Sequence, residues 1–330
     1  MYQTIYELLN KTGLIKSAVI LNGRERGQRC ILNRENCIVR SGPEMDWKPY
    51  LHAISAEEET KVISVGGTKI LVELFEKNPR LVILGGGHVS CPVAHIAKML
   101  DFHVTVMDDR KEFLTKKRFP EADERIYGSF EELSEKIPPY ANTYYVVITR
   151  GHEGDAVCAR QILKRPYVYF GMIGSRTKVK LTREKLLGEG FSEAQMDSVH
   201  APIGLPIGGQ LPEEIAISIM AEIVQTKNLH YRAFTDEKVA GAVAAGGHGT
   251  MMTIIEKSGS SPRGVGSRMF LKENGMSYGS IGGGSVEYEA MKYAAMVKGT
   301  EIREYHLSVN DDRNLGMICG GSVKVLFEKI

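Results

Sequence analysis

The chain has 330 residues, of which 43% are hydrophobic and 25% are charged, and its formal net charge is +2. This length predicts about two domains with a sizeable core, while the near-neutral charge argues against a nucleic acid or a membrane surface as the main partner. No apolar stretch approaches the roughly 18 residues that span a bilayer, and the first residues lack the pattern of a signal peptide. Five scattered cysteines, without a CxxC pair or an HExxH motif, favour reduced thiols in the cytoplasm and no dedicated zinc site.

The first 78 residues predict a small, mostly β region. A short helix is expected over residues 2–10, before strands at 17–21, 29–32, 37–40 and 68–75. The dipeptide Asn78-Pro79 then marks a break in regular structure. We therefore expect a first domain at residues 1–78.

Residues 80–109 have the pattern of a dinucleotide-binding unit. An apolar run predicts a buried strand, three glycines form a turn, a helix follows, and a second apolar run ends on an acid. Glycines let the backbone approach a phosphate, the helix start attracts it, and an acid about 20 residues further on binds a ribose hydroxyl. We predict an α/β domain at residues 79–228 with a Rossmann-like, doubly wound parallel sheet, and cofactor-binding residues Gly85, Gly86, Gly87, His88 and Asp108.

Two observations leave alternatives open for this domain. Ser90 replaces the third glycine of the usual pattern, so the alternative is a Rossmann-shaped unit that holds no dinucleotide. The loops at residues 149–155 and 171–176 follow predicted strands and should lie at the carboxyl edge of the sheet, where ligands bind. In the first loop, His152 is a candidate base or phosphate contact, and the alternative is a histidine that bonds the backbone.

The last hundred residues predict a second, α+β domain at 229–330. Asn274-Gly275 between two apolar runs indicates a hairpin. Two loops rich in glycine and hydroxyl groups flank it, one with Ser260, Ser261 and Arg263, the other with Gly282, Gly283 and Gly284 before a helix predicted over residues 286–297. Free N–H groups at a helix start and an arginine suit a phosphate or an oxo group. We predict a binding site here, and the alternative is tight turns in a compact β domain.

Cys319 and Gly320 come shortly before the final predicted strand. A buried, inert thiol is the default interpretation of a lone cysteine. The alternative is a thiolate ligand or a sulfur acceptor beside a glycine turn.

A faint internal repeat connects the two ends of the chain. Residues 29–41 align without gaps on residues 268–280, and residues 71–77 resemble residues 323–329. The first copy lacks the triple glycine, and its pattern shows no helix at the corresponding place. We therefore predict that residues 1–78 are a degenerate half-domain packed against the complete copy at the C-terminus.

These motifs resemble the xanthine dehydrogenase accessory factor family (XdhC/CoxI). The matching segments are GGGHVS at 85–90, DDR at 108–110, GMIGSR at 171–176, PIGLPIGGQLPEEIAISIMAEI at 202–223, GSSPRGVGSRM at 259–269, GSIGGGSVE at 279–287 and CGG at 319–321. The resemblance implies a protein that binds the molybdenum cofactor, as molybdopterin or a dinucleotide form, and helps deliver its sulfurated form to a xanthine dehydrogenase-type molybdenum hydroxylase. It implies a non-catalytic chaperone more than an enzyme.

The resemblance also implies a site and partners. It makes residues 229–330 an XdhC/CoxI-type domain and adds Glu287, Cys319 and Gly320 to the cofactor-binding residues. Members often have a cysteine where this chain has Ser285, which leaves Cys319 as the nearby candidate for sulfur handling. The implied partners are the hydroxylase and a cysteine desulfurase. The unpaired edges of small β domains separately suggest a homodimer, and the charge and hydropathy suggest no nucleic acid and no membrane as partners.

Two other functions stay open at this point. The first is an NAD(P)-dependent oxidoreductase, which needs a catalytic group near the nicotinamide, and His88 and His152 are the candidates in the sequence. The second is a structural adaptor for the hydroxylase in which both sites are vestigial.

Overall fold

The computed structural model describes residues 1–33, 36–41, 45–140, 142–230, 236–246, 248–259, 263–306 and 321–330. The chain divides into two compact units. Met1–Lys77 and Arg232–Ile330 form one unit together, and Asn78–Tyr231 forms the other. The two ends of the chain, which show the faint repeat, are therefore parts of one unit.

The N-terminal segment forms a five-stranded antiparallel sheet with two helices. Its elements are α1 (Tyr2–Thr12), β1 (Leu14–Ile20), β2 (Arg29–Asn33), β3 (Asn36–Arg40), α2 (Lys48–Ala56), β4 (Lys61–Val65) and β5 (Thr68–Glu76). The strand order is β3-β2-β1-β5-β4. The prediction that this segment has no helix between its third and fourth strands is wrong, because α2 lies there. The helix has nine residues, and its buried residue Ile54 packs with Trp47 and Met45. Such a short helix does not show a clear hydrophobic period in the sequence.

The middle unit has a six-stranded parallel sheet. Its elements are β6 (Arg80–Leu84), α3 (Ser90–Met99), β7 (His103–Asp108), β8 (Glu124–Tyr127), α4 (Leu133–Lys136), β9 (Thr143–Val147), α5 (His152–Ile162), β10 (Tyr169–Met172), α6 (Arg176–Gly188), α7 (Glu193–Asp197), β11 (Val199–His200) and α8 (Pro212–His230). The order β11-β10-β9-β6-β7-β8 confirms the Rossmann-like, doubly wound prediction. The strand order reverses between β6 and β9, which is where such sheets bind ligands.

Helices cover both faces of this sheet, as the apolar strands require. Leu81 and Ile83 pack in the layer that contains residues of α3 and α8, whereas Val82 and Leu84 pack in the layer that contains residues of α5 and α6. Successive residues of one strand thus enter different cores, which explains the continuous apolar run in the sequence. Within the described ranges, no helix combines the length and apolar character needed to cross a membrane.

The C-terminal segment forms a second five-stranded antiparallel sheet. Its elements are α9 (Glu237–Ala244), β12 (Gly249–Ser258), β13 (Arg268–Lys272), β14 (Ser277–Gly279), α10 (Gly284–Ala294), β15 (Thr300–His306) and β16 (Ser322–Lys329). The strand order is β14-β13-β12-β16-β15. The predicted hairpin is confirmed, with Gly275 at φ +84° in its turn. Helix α10 begins at Gly284, two residues before its predicted start.

The two ends of the chain have the same topology, element for element, and we call them the N-terminal repeat (residues 1–77) and the C-terminal repeat (residues 236–330). Strand pairing fixes which residues correspond. Val19 lies opposite Arg29 and Leu71, and Thr253 lies opposite Arg268 and Leu326.

Arg29 is therefore equivalent to Arg268, as the sequence alignment predicts. Leu71 is equivalent to Leu326, so the alignment of residues 71–77 on 323–329 is wrong by three residues. The corrected register makes Glu73 equivalent to Glu328.

Candidate functional site

Three connections leave the same end of the C-terminal sheet. Ser258 at the end of β12 pairs with Ser322 at the start of β16. The carbonyl of Arg268, at the start of β13, accepts the N–H of Ser280, just after β14, at 3.0 Å. Segments 259–267, 280–283 and 307–321 therefore begin or end near one another. Of the predicted site residues, Ser260, Ser261, Cys319 and Gly320 belong to these segments but lie outside the described residues.

Two of these connections are shorter in the N-terminal repeat, whereas the connection from β3 to α2 is longer than its equivalent from β14 to α10. Val19 and Arg29 are ten positions apart, whereas their equivalents Thr253 and Arg268 are fifteen apart. Only Gly66-Gly67 joins β4 to β5, whereas residues 307–321 separate β15 from β16. The two sheets are alike, so the two longer loops and the short glycine turn set the C-terminal repeat apart.

The carboxylate of Glu287 closes the glycine turn before α10. Its Oε2 accepts the Ser280 hydroxyl at 2.8 Å and the backbone N–H groups of Ile281 and Gly283 at 3.1 and 3.0 Å. Gly282, Gly283 and Gly284 have φ values of +124°, +73° and +63°, which residues with a side chain rarely adopt. Glu287 thus shapes the turn, and its direct contact with a cofactor stays a prediction.

The turn and the neighbouring loop present groups that suit an anion. Gly284 is exposed at the start of α10, where helix N–H groups and a partial positive charge are available. Arg263 is also exposed, in the loop that leads to β13 at the same end of the sheet. An exposed arginine and a glycine-bounded helix start at the same end of the sheet are each chemically suited to a phosphate or an oxo group.

The Rossmann turn is built as the sequence predicts. A side chain at Gly85 would place its Cβ 2.2 Å from the carbonyl oxygen of Ile148, and its φ is +111°. Only glycine therefore fits between the carboxyl ends of β6 and β9. Ser90, at the third glycine position, donates its hydroxyl to the carbonyl of Gly85 at 2.5 Å, so it tightens the turn.

Asp108 has no acceptor position left for a ribose hydroxyl. Its Oδ1 accepts the backbone N–H and Nε of Arg110 at 2.8 and 2.9 Å, and its Oδ2 accepts the N–H of Gly86 at 2.6 Å and Nη2 of Arg110 at 2.9 Å. Burial alone raises the pKa of Asp108, but the Arg110 guanidinium and the two N–H groups outweigh it and lower that pKa. A carboxylate holds about four lone-pair sites, and all of these are used.

Phe113 covers the same turn. A Cβ on Gly86 would lie 3.2 Å from both Cβ and the carbonyl oxygen of Phe113. The guanidinium of Arg110 stacks 3.7 Å from the Phe113 ring centre, and Arg118 donates to the carbonyl of Gly86 at 2.9 Å. In this arrangement the residues do not fit the ribose of NAD(P). His88 is exposed beside the turn, and the side chain of His152 is outside the described part of the chain.

A histidine–carboxylate pair that the sequence analysis missed lies at the edge strand β11. Nδ1 of His200 is 3.2 Å from Oε1 of Glu222, whose Oε2 accepts the Tyr169 hydroxyl at 2.5 Å and the N–H of Gly204 at 2.9 Å. Burial raises the pKa of Glu222, but these hydrogen bonds outweigh it and lower the pKa. The sequence does contain one signal for this pair. Glu222 directly precedes Ile223, which is buried in α8, and an acid so close to a core position needs a hydrogen-bond partner.

Three described cysteines are poor thiolates. Burial raises the pKa of Cys30 and Cys158, and it also raises that of Cys91 although Arg118 opposes the shift. Protonated thiols are weak nucleophiles and weak metal ligands. In the portion of the chain that can be described, no group of three His, Cys, Asp or Glu side chains is arranged to hold a metal ion.

Two relatives match about half of the chain. It is 32% identical over 164 residues to the uncharacterized protein YqeB of Escherichia coli (strain K12), covering 49% of this chain and 30% of that protein. It is 31% identical over 160 residues to a protein of Bacillus subtilis (strain 168) described as a probable subunit of xanthine dehydrogenase, covering 48% of this chain and 46% of that protein. The chain thus spans less than half the length of either relative.

A solved structure has a similar fold. It is a Bacillus halodurans protein described as a xanthine dehydrogenase, with a TM-score of 0.55 and 22% identity, covering 70% of this chain and 65% of that one. Family models match two parts of the sequence: the XdhC Rossmann domain matches residues 81–223, and the XdhC and CoxI family matches residues 242–306. These ranges together exceed half of the chain and contain both glycine turns, so the chain belongs to the XdhC/CoxI family.

Proposed function

We propose that this protein is an accessory factor for a xanthine dehydrogenase-type molybdenum hydroxylase. It binds the molybdenum cofactor at the loops of the C-terminal repeat and helps deliver the sulfurated form. The observation that carries the proposal is the asymmetry of the two repeats, because the long loops and the glycine turn held by Glu287 occur together on one sheet end. Family membership and the name of the Bacillus subtilis relative support the choice of hydroxylase.

The chemistry of the loops suits this cofactor. Molybdopterin carries a phosphate, and its dinucleotide forms carry a pyrophosphate. Arg263 would give the phosphate a charge-assisted contact, and the N–H groups at the start of α10, beside Gly283 and Gly284, would orient it. The bound cofactor supplies its redox chemistry in the hydroxylase, so the role of this chain is to bind, orient and release it.

Sulfur handling depends on Cys319 in this proposal. Ser285 stands within the glycine segment, and burial raises the pKa of the Cys30 and Cys158 thiols, which makes them poor sulfur acceptors. A cysteine desulfurase would transfer the outer sulfur of its own cysteine persulfide to the Cys319 thiolate, which becomes a persulfide as the desulfurase thiolate leaves. A Cys319→Ser variant that still binds the cofactor but no longer promotes its sulfuration is the expected result.

The NAD(P)-dependent oxidoreductase is less well supported. The acceptor positions of Asp108 are filled by Arg110 and Gly86, and Phe113 lies against Gly86 in the turn. The His200–Glu222 pair has the form of an oriented base, but β11 is three strands from β6 in the sheet, roughly 14 Å away at the usual strand spacing. This distance puts His200 away from the switch point at which a nicotinamide would react.

Activation of a cofactor-free hydroxylase tests the proposal. The full chain, loaded with molybdenum cofactor, is mixed with the hydroxylase apoprotein, and hydroxylase activity is followed. Arg263→Ala should lower both bound cofactor and activation, whereas the control Arg24→Ala, in the shorter loop of the N-terminal repeat, should change neither. Unchanged cofactor content and activation in Arg263→Ala would instead favour the structural adaptor.

A further inference from the structure

Contacts between the two repeats come in equivalent pairs. Arg29 lies 2.7 Å from Glu328 of the C-terminal repeat, and Arg268 lies 2.8 Å from Glu73 of the N-terminal repeat. All four side chains are buried. Because Arg29 is equivalent to Arg268 and Glu73 to Glu328, each repeat offers the same arginine to the same glutamate of the other.

A second pair of contacts follows the same rule. A Cβ on Gly27 would lie 2.5 Å from Oγ1 of Thr300, and a Cβ on Gly266 would lie 3.0 Å from Cγ2 of Thr60. The two glycines have φ values of +89° and +88°. Each stands two residues before the arginine of its repeat, and each threonine belongs to the other repeat. The backbone of each loop therefore rests directly on a threonine of its neighbour.

Arg268 connects this interface to the candidate site. Glu73 holds its guanidinium, which also lies 4.1 Å from the centre of the Phe75 ring. The carbonyl of Arg268 accepts the N–H of Ser280, and the Ser280 hydroxyl donates to Glu287. The N-terminal repeat is thus joined to the glycine turn through Arg268 and Ser280.

The two halves of this interface differ in what they support. Thr300 supports Gly27 in the shorter loop of the N-terminal repeat, whereas Thr60 supports Gly266 in the longer loop that contains Arg263. We propose that the N-terminal repeat is the positioning partner of the C-terminal site, with Thr60 and Glu73 as positioning residues that fix residues 263–267 before β13 and residues 280–283 before α10. The identity of the ligand rests on the proposed function, but the positioning role does not.

The pseudo-symmetry supplies a matched control for the test. Thr60→Leu enlarges the contact under the long loop and removes the hydroxyl that accepts the backbone N–H of Leu74, whereas Thr300→Leu enlarges the contact under the short loop. Hydrogen exchange of the full chain is measured for segments 263–267 and 279–287, and binding of molybdopterin is measured by equilibrium titration. We expect Thr60→Leu to raise exchange in both segments at least tenfold and to weaken molybdopterin binding at least tenfold. Thr300→Leu should leave both quantities within twofold of the unmodified chain.

The outcomes separate the two proposals. Equal effects of the two leucine variants, or no effect of Thr60→Leu on exchange, would overturn the positioning role. If Thr60→Leu does not fold, Glu73→Gln is compared with Glu328→Gln by the same two measurements and the same criterion. If the unmodified chain binds no molybdopterin, the proposed function fails, and hydrogen exchange alone then decides the positioning role.

Discussion

Glu287 accepts the backbone N–H of Gly283 at 3.0 Å, so a residue inside α10 bonds back to the residue that precedes the helix. The same oxygen holds Ser280 and Ile281. One carboxylate therefore sets the conformation of a turn whose glycines have no side chains to hold them. This closed turn is the best-defined part of the proposed cofactor site.

Replacing Glu287 by alanine tests whether the turn depends on it. The variant loses three hydrogen bonds to a half-buried carboxylate, so we expect the free energy of unfolding to fall by about 1–3 kcal/mol. The same variant should also bind molybdopterin more weakly than the unmodified chain. Urea unfolding measures the first quantity, and Glu289→Ala, which removes an exposed partner of Lys292, is the control. Equal losses in the two variants would show that the turn does not depend on Glu287.

Arg110 is predicted to keep NAD(P) out of the Rossmann turn. The unmodified chain should bind NAD and NADP weakly, because the acceptor positions of Asp108 are filled. Arg110→Ala frees two of them and should improve NAD binding on the order of tenfold, since a hydrogen bond to a charged group is worth about 1.5–3 kcal/mol. Lys111→Ala is the control in equilibrium titrations. Micromolar NAD binding by the unmodified chain would contradict this account.

The buried Glu73 should make stability depend on pH. Burial alone raises its pKa, but Arg29 and Arg268 outweigh burial and hold the pKa below its ordinary value. The folded state then binds the proton less tightly than the unfolded state, so this contribution is complete above the unfolded pKa of about 4.3 and is lost as pH falls through the folded pKa.

Glu73→Gln should therefore cost about 3–5 kcal/mol of unfolding free energy at pH 7 and less near pH 3. The control Glu256→Gln, which breaks a surface pair with Lys324, should cost about 0–1 kcal/mol. Unfolding in urea at both pH values measures the costs. A pH-independent cost for Glu73→Gln would rule out an ionised Glu73 in the folded protein.

Glu222 is predicted to hold the loop between β11 and α8. It bonds His200, Tyr169 and Gly204, and its lowered pKa means that this contribution is lost as pH falls through that pKa. Glu222→Gln should raise the rate of hydrogen exchange in residues 201–211 at pH 7. In the variant, the protection of these residues should also depend less on pH than it does in the unmodified chain. The exposed Glu213→Gln serves as the control, and identical exchange in both variants would exclude the proposed restraint.

The parts predicted from sequence are those with local signals. The turn at Gly85, the acid Asp108 and the hairpin at Gly275 each follow from backbone conformation or short-range spacing. The use of Asp108 was not predictable, because its oxygens are filled partly by Arg110, whose side chain folds back within two residues. A spacing rule identifies the acid but not what it binds.

Long-range relationships were predicted less well. Leu71 pairs with Val19, and Leu326 pairs with Thr253, so the two leucines are equivalent and the alignment of residues 71–77 moves by three positions. Strand register depends on hydrogen-bonded partners and not on sequence identity. Glu222 lies 22 positions after His200, and only the packing of α8 brings them together. Helix α2 was missed because one buried residue gives no periodic pattern.

Equilibrium titration of the full chain with molybdenum cofactor tests whether the loops of the C-terminal repeat form a cofactor site. We expect stoichiometric binding that Arg263→Ala and Glu287→Ala weaken at least tenfold and Arg24→Ala leaves unchanged. NAD and NADP, tested alongside, should bind weakly. Binding of NAD or NADP without binding of molybdenum cofactor, abolished by Gly87→Trp, would contradict the account and favour the oxidoreductase.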